Sequence, residues 1–204
     1  MRKIVFVIVV ALSSVFSIAF ADGLNGAQKK MATSGRKPSS VQFELKGVMI
    51  GDDSTKIARE FGEACGNICV ILRDQDKSDS EQAMPQDKVR YAGYAALSYV
   101  FMMDNNHKIG SAGVRFPSSG FSDVKDALIS KYGKPATERK SVVQNAFGAT
   151  ASNEEVVWFG KGQFLLLRQY GDELDTSEVT IYSSEFVKTR SGEGKSIALK
   201  PGAM

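Results

Sequence analysis

Histidine occurs once in this sequence, at His107, and that scarcity narrows the chemistry at once. A Ser–His–Asp or Cys–His nucleophile would have to use it, and so would a histidine-rich zinc site. Its setting, Asp104-Asn105-Asn106-His107 between two strand-like runs, reads as a solvated turn tip. No catalytic residue, metal ligand or cofactor is therefore assigned. There is no Asn-x-Ser/Thr acceptor, and no second apolar run reaches membrane-spanning length. A large excess of one charge is missing too. The formal net charge is +3, and without Arg2 and Lys3 the remainder carries about +1. That near-balance argues against a nucleic-acid partner, which needs a concentrated basic face.

What the chain does have is an opening built for export. Arg2 and Lys3 form a basic start, and Ile4 to Phe20 is apolar apart from three serines. Ala19-Phe20-Ala21 then supplies the small-x-small pattern that a signal peptidase reads, making Asp22 the first mature residue. The alternative is an uncleaved anchor, but a spanning helix needs about 20 apolar residues and this run is shorter. The expected location is periplasmic or secreted, with no integral membrane segment after cleavage. The first cysteine, Cys65, lies far from Ala21, so no lipid anchor is expected at the mature N-terminus.

The predicted domains are a signal peptide 1–21, a flexible leader 22–40, a single α+β domain 41–187 and a flexible tail 188–204. Within the domain, halves 41–98 and 99–187 are an open division. Val41 to Leu45 alternates apolar and polar residues as a strand does. Asp52, Asp53 and Ser54 can cap a helix whose apolar face is Ile57, Ala58, Phe61 and Ala64. Tyr99–Met103 and Ile109–Phe116 read as a hairpin, and Phe121, Val124, Leu128, Ile129 and Tyr132 as a second helical stripe stopped by Gly133 and Pro135. Glu155–Phe159, Gln163–Tyr170 and Ser177–Ser184 complete a meander, with one more short strand expected around Ser141-Val142-Val143. The expected fold is an antiparallel sheet of hairpins and a meander, with two main helices packed on one face. Both helices close on an aromatic–glycine pair, Phe61-Gly62 and Tyr132-Gly133, which raises the question of a tandem repeat.

The run Phe43-Glu44-Leu45-Lys46-Gly47-Val48-Met49-Ile50-Gly51, followed by a helix ending Phe61-Gly62, is similar to the opening of small envelope modules. These are the outer-membrane assembly lipoprotein family BamE and the β-lactamase-inhibitor-protein-like fold. The resemblance implies a helical layer on an antiparallel sheet, sometimes in tandem, working by binding other proteins. It implies no catalytic residue. The chain departs from the assembly family in lacking its lipid-modified cysteine.

Four features invite chemistry, and each has a plainer explanation. Cys65 and Cys69 are the only cysteines. In an oxidising compartment they predict a structural disulfide clamping a helix-to-strand turn. A redox pair is the alternative, but oxidoreductases place two residues between the cysteines, and here there are three. The acidic stretch from Asp74 fails the calcium-loop pattern, with Asp79 where glycine belongs and Pro85 where glutamate belongs. Asp52-Asp53 and Asp172-Glu173 can be read as acid–base pairs, although capping and turns already explain them. Trp158, Phe159 and Tyr170 are the candidate interface, with Trp158 and Phe159 expected on opposite faces of one strand. Together these point to an exported, non-enzymatic envelope protein that binds another protein as an inhibitor, adapter or assembly factor. The alternative is a small exported hydrolase using carboxylates.

Overall fold

Apolar side chains on one face of six neighbouring strands set the architecture, because a sheet face of that kind requires a helical cover. The computed structural model describes residues 40–72, 87–144, 148, 150–171 and 173–196. The strands are β1 (Glu44–Leu45), β2 (Val48–Met49), β3 (Ile68–Leu72), β4 (Arg90–Tyr91), β5 (Tyr94–Ala95), β6 (Ser98–Met103), β7 (Ile109–Pro117), β8 (Thr137–Gln144), β9 (Thr150–Gly160), β10 (Gln163–Arg168) and β11 (Thr176–Ser183). The helices are α1 (Thr55–Phe61), α2 (Phe121–Tyr132) and α3 (Ser184–Ser196). Residues Lys37–Thr189 form one compact unit, and the last turns of α3, from Arg190, fall outside it.

Seven strands make the main sheet, in the order β3-β6-β7-β11-β10-β9-β8, with every neighbouring pair antiparallel. The fold is α+β, as expected. Following the register across the sheet, one face carries Ile71, Tyr99, Val114, Val179, Leu167 and Val156 in a single row. Cys69, Phe101, Ala112, Ile181, Leu165 and Trp158 form the next. All twelve are buried in one core with Ile57 and Phe61 of α1 and Phe121, Val124 and Leu128 of α2. The Phe61 ring packs on both Tyr99 and Phe101, with centroids 4.9 and 5.3 Å away.

The helix ends follow capping chemistry. Asp53 Oδ1 accepts the Thr55 N–H at 3.0 Å, whereas Ser54 makes no side-chain cap and Asp52 Oδ2 instead accepts the Met49 N–H at 2.9 Å. Gly62 and Gly133 close α1 and α2 at φ 77° and 81°, each donating its N–H to the carbonyl four residues back, on Ala58 and Ile129. Gly62 is left-handed helical and Gly133 has ψ −173°, both positive-φ conformations that glycine enters with the least strain. Lys88, almost fully buried, joins the layers: Nζ donates to the Lys46 carbonyl at 2.8 Å and pairs with Glu60 at 3.1 Å.

Several details differ from expectation. The strand expected over 41–45 shortens to Glu44–Leu45 and turns back on Val48–Met49. The short strand around 141–143 is an eight-residue strand paired with an eleven-residue β9. A small hairpin, Arg90–Tyr91 with Tyr94–Ala95, precedes β6, while residues 73–86 lie outside the described residues. The tail expected from 188 begins inside α3. The signal segment, the leader to residue 39 and the acidic run from Asp74 also lie outside the described residues.

Candidate functional site: the second face and free edge of the sheet

The same registers that fill the helix-covered face define what lies on the other one. Beginning at β8, one row reads Arg139, Glu155, Arg168, Glu178, Arg115, Ser98 and Leu72. Its charges alternate in sign across five strands. Arg168 Nε donates to Glu155 at 3.1 Å, Arg168 Nη1 to Glu178 at 2.9 Å, and Arg139 pairs with Glu155 at 3.1 Å. Such a planar, multiply bonded network fixes the strands relative to one another and makes one half of this face rigid and polar.

The next rows change character along their length. Val157, Leu166, Thr180, Gly113, Val100 and Val70 form one, and Phe159, Phe164, Tyr182, Ser111, Met102 and Ile68 another. Phe164 stacks on Tyr182 with centroids 5.1 Å apart. At the β3 end the face opens to solvent. Ile68, Val70 and Leu72 are 57%, 54% and 68% exposed, beside half-buried Val100 and Met102. Side chains of this kind in one contiguous cluster mark an interaction surface, whereas isolated exposed aliphatics do not.

The predicted interface residues separate as strand alternation requires. Trp158 is 3% exposed, lies under α2 and donates its indole N–H to the Gly133 carbonyl at 2.8 Å. It is a core residue and does not serve an interface. Phe159 is half-buried on the second face, 6.4 Å from Phe164. Tyr170 is half-buried just past β10, its N–H donating to Asn153 Oδ1. Cys65 and Cys69 are joined by a disulfide with Cα atoms 5.2 Å apart. The bridge ties the chain after α1 to the start of β3, on the helix-covered side, and leaves the exposed trio clear.

The remaining candidates are occupied elsewhere. His107 is exposed at the β6–β7 turn, with φ 57°. The turn is organised by Asp104 Oδ1, which accepts the N–H groups of Asn106 and Lys108. Asp53 caps α1 and pairs with Lys108 at 3.6 Å. The Thr55 N–H, followed by smaller contributions that include Lys108, lowers its carboxyl below the usual aspartate value. Hydrogen bonds from Lys88 and then Lys56 lower the Glu60 carboxyl in the same way. These shifts keep both groups ionised, as caps and ion pairs, and so work against a proton-donating role at neutral pH. Asp172, half of the second carboxylate pair, lies outside the described residues.

Sequence reasoning missed the exposed trio. Ile68-Cys69-Val70-Ile71-Leu72 is apolar at every position and reads as a fully buried strand. Among the described residues no helix is long and apolar enough to cross a membrane. Set against known proteins, the chain matches no family model, no curated protein and no solved structure.

Proposed function

We propose that this chain is an exported, non-enzymatic envelope protein, periplasmic or secreted, that binds another protein through the second face of its sheet. It acts there as an inhibitor, adapter or assembly factor. The observation that carries this reading is the apolar strip at the β3 end of the second face. That face is buried at Phe164, Leu166 and Thr180 and ends in exposed Ile68, Val70 and Leu72 beside Val100 and Met102. An apolar cluster sharing one face with a fixed polar network, here the Arg139–Glu155–Arg168–Glu178 row, has the mixture of apolar and polar surface that protein interfaces use. Three further features support it. Ala19-Phe20-Ala21 ahead of Asp22 is an export signal, the Cys65–Cys69 bridge suits an oxidising compartment, and the resemblance of residues 43–62 is to modules that bind proteins.

The test is co-purification from envelope extracts with the wild-type chain and with Val100→Glu. A partner retained by the wild type and reduced at least tenfold by the variant is expected, with the variant's circular dichroism unchanged. Retention undiminished by Val100→Glu would remove the assigned face.

A further inference from the structure

The main sheet has two edges, and they are built differently. At one lies β8, whose sequence Thr137-Glu138-Arg139-Lys140 places three charged side chains in succession, Arg139 with its side chain 61% exposed. Charges on an edge strand prevent another strand from adding to it. At the other lies β3, Ile68-Cys69-Val70-Ile71-Leu72, with no charge and no proline. Among the described residues its one strand neighbour is β6.

The phase of the β3–β6 ladder decides what the free edge offers. Met103 donates its N–H to the Asn67 carbonyl at 2.9 Å, and these residues stand directly opposite one another when the register Ile68↔Met102 is carried one step back. Hydrogen-bonded pairs alternate along an antiparallel ladder, so Asn67, Cys69 and Ile71 spend their backbone groups on β6. The N–H and C=O groups of Ile68, Val70 and Leu72 therefore point outward at the free edge. These are also the residues whose side chains are most exposed on this strand.

We propose that β3 pairs with β3 of a second copy of this chain, antiparallel about a two-fold axis at Val70. Val70 then faces Val70 of the second copy, and Ile68 faces its Leu72. All three positions have outward backbone groups, so the pairing closes about six N–H···O=C bonds. Apolar side chains meet apolar side chains on one face, and no like charges oppose. The arrangement is isologous and closes at two copies. Pairing β3 with β8 instead would be head-to-tail and open-ended, and the β8 charges oppose it. The two sheets become one continuous sheet, with the exposed trio of each copy side by side at its centre. This pairing stands whether or not a third protein binds the face.

A five-residue strand contact is smaller than the interfaces of about 1,600 Å² that hold standard complexes, so the dimer forms in a concentration-dependent way. Sedimentation of the purified, disulfide-intact chain from about 1 to about 500 µM is expected to show monomer giving way to dimer. Val70→Pro removes one outward N–H without touching the β3–β6 ladder, and is expected to weaken dimerisation at least tenfold. Val142→Lys, on the opposite edge at a side chain 73% exposed, is expected to dimerise as the wild type does. Should Val70→Pro fail to fold, hydrogen exchange at the Val70 amide of the wild type gives the same answer. It is expected to slow at least tenfold between dilute and concentrated protein. Monomer throughout, a dimer indifferent to Val70→Pro, a dimer lost equally on Val142→Lys, or a Val70 amide unchanged on dimerisation would each overturn the proposal.

Discussion

Neighbouring side chains with opposite fates illustrate how the residues divide their work. Trp158 buries its ring beneath α2 and satisfies its N–H on Gly133, while Phe159, one step along β9, lies on the second face. Trp158→Ala is expected to destabilise the fold by about 3–5 kcal/mol, as large-to-small core changes do. Phe159→Ala removes a half-buried ring and is expected to cost less than that. Urea denaturation of both variants checks the order, and equal losses would contradict the assignment of faces. At His107 the backbone conformation governs the choice of substitution. With φ at 57°, alanine would add strain that has nothing to do with the imidazole, whereas asparagine tolerates that region. His107→Asn is expected to leave partner binding unchanged and to shift stability by no more than about 0.5 kcal/mol. Loss of function in a normally folded His107→Asn protein would reopen histidine chemistry.

Among the elements, α1 depends on charge at both of its ends. It has seven residues, capped by Asp53 and held by Glu60 through Lys56 and Lys88. Both carboxyls are held below their ordinary values. A depressed folded-state value means that the stabilisation is present above the unfolded-state pKa and is lost as pH falls through the folded one. Stability is therefore expected to decline below about pH 4, and less steeply in Asp53→Asn than in the wild type. An acid denaturation curve unchanged by that substitution would contradict the capping role. The adjoining Cys65–Cys69 bridge is expected to leave essentially no free thiol when the unreduced protein is unfolded and titrated. Two reactive thiols would contradict it.

The legibility of the elements followed their dependence on local signals. Asp104 and the residues after it announced the β6–β7 turn, and Gly62 and Gly133 announced the ends of α1 and α2. β8 was underestimated because Glu138, Arg139 and Lys140 give an edge strand no apolar alternation to read. α3 was missed because Gly192 and Gly194 lower its helix propensity, so its sequence resembles a tail. The exposed trio was invisible for the opposite reason. β3 is apolar at every position, and its outward face shows only once its neighbours in the sheet are known.

For the whole molecule, a sheet covered by α1 and α2 on one face ends in an apolar strand, β3, that has one strand neighbour among the described residues. The most direct measurement places a photo-crosslinking side chain at Leu72 and another at Lys161, the exposed turn between β9 and β10, and irradiates intact cells. A discrete adduct with another envelope protein from position 72, absent from position 161 and lost on Val100→Glu, is the expected result. Adducts equally abundant from both positions, or none from position 72 beyond those with the chain itself, would contradict protein binding through the second face.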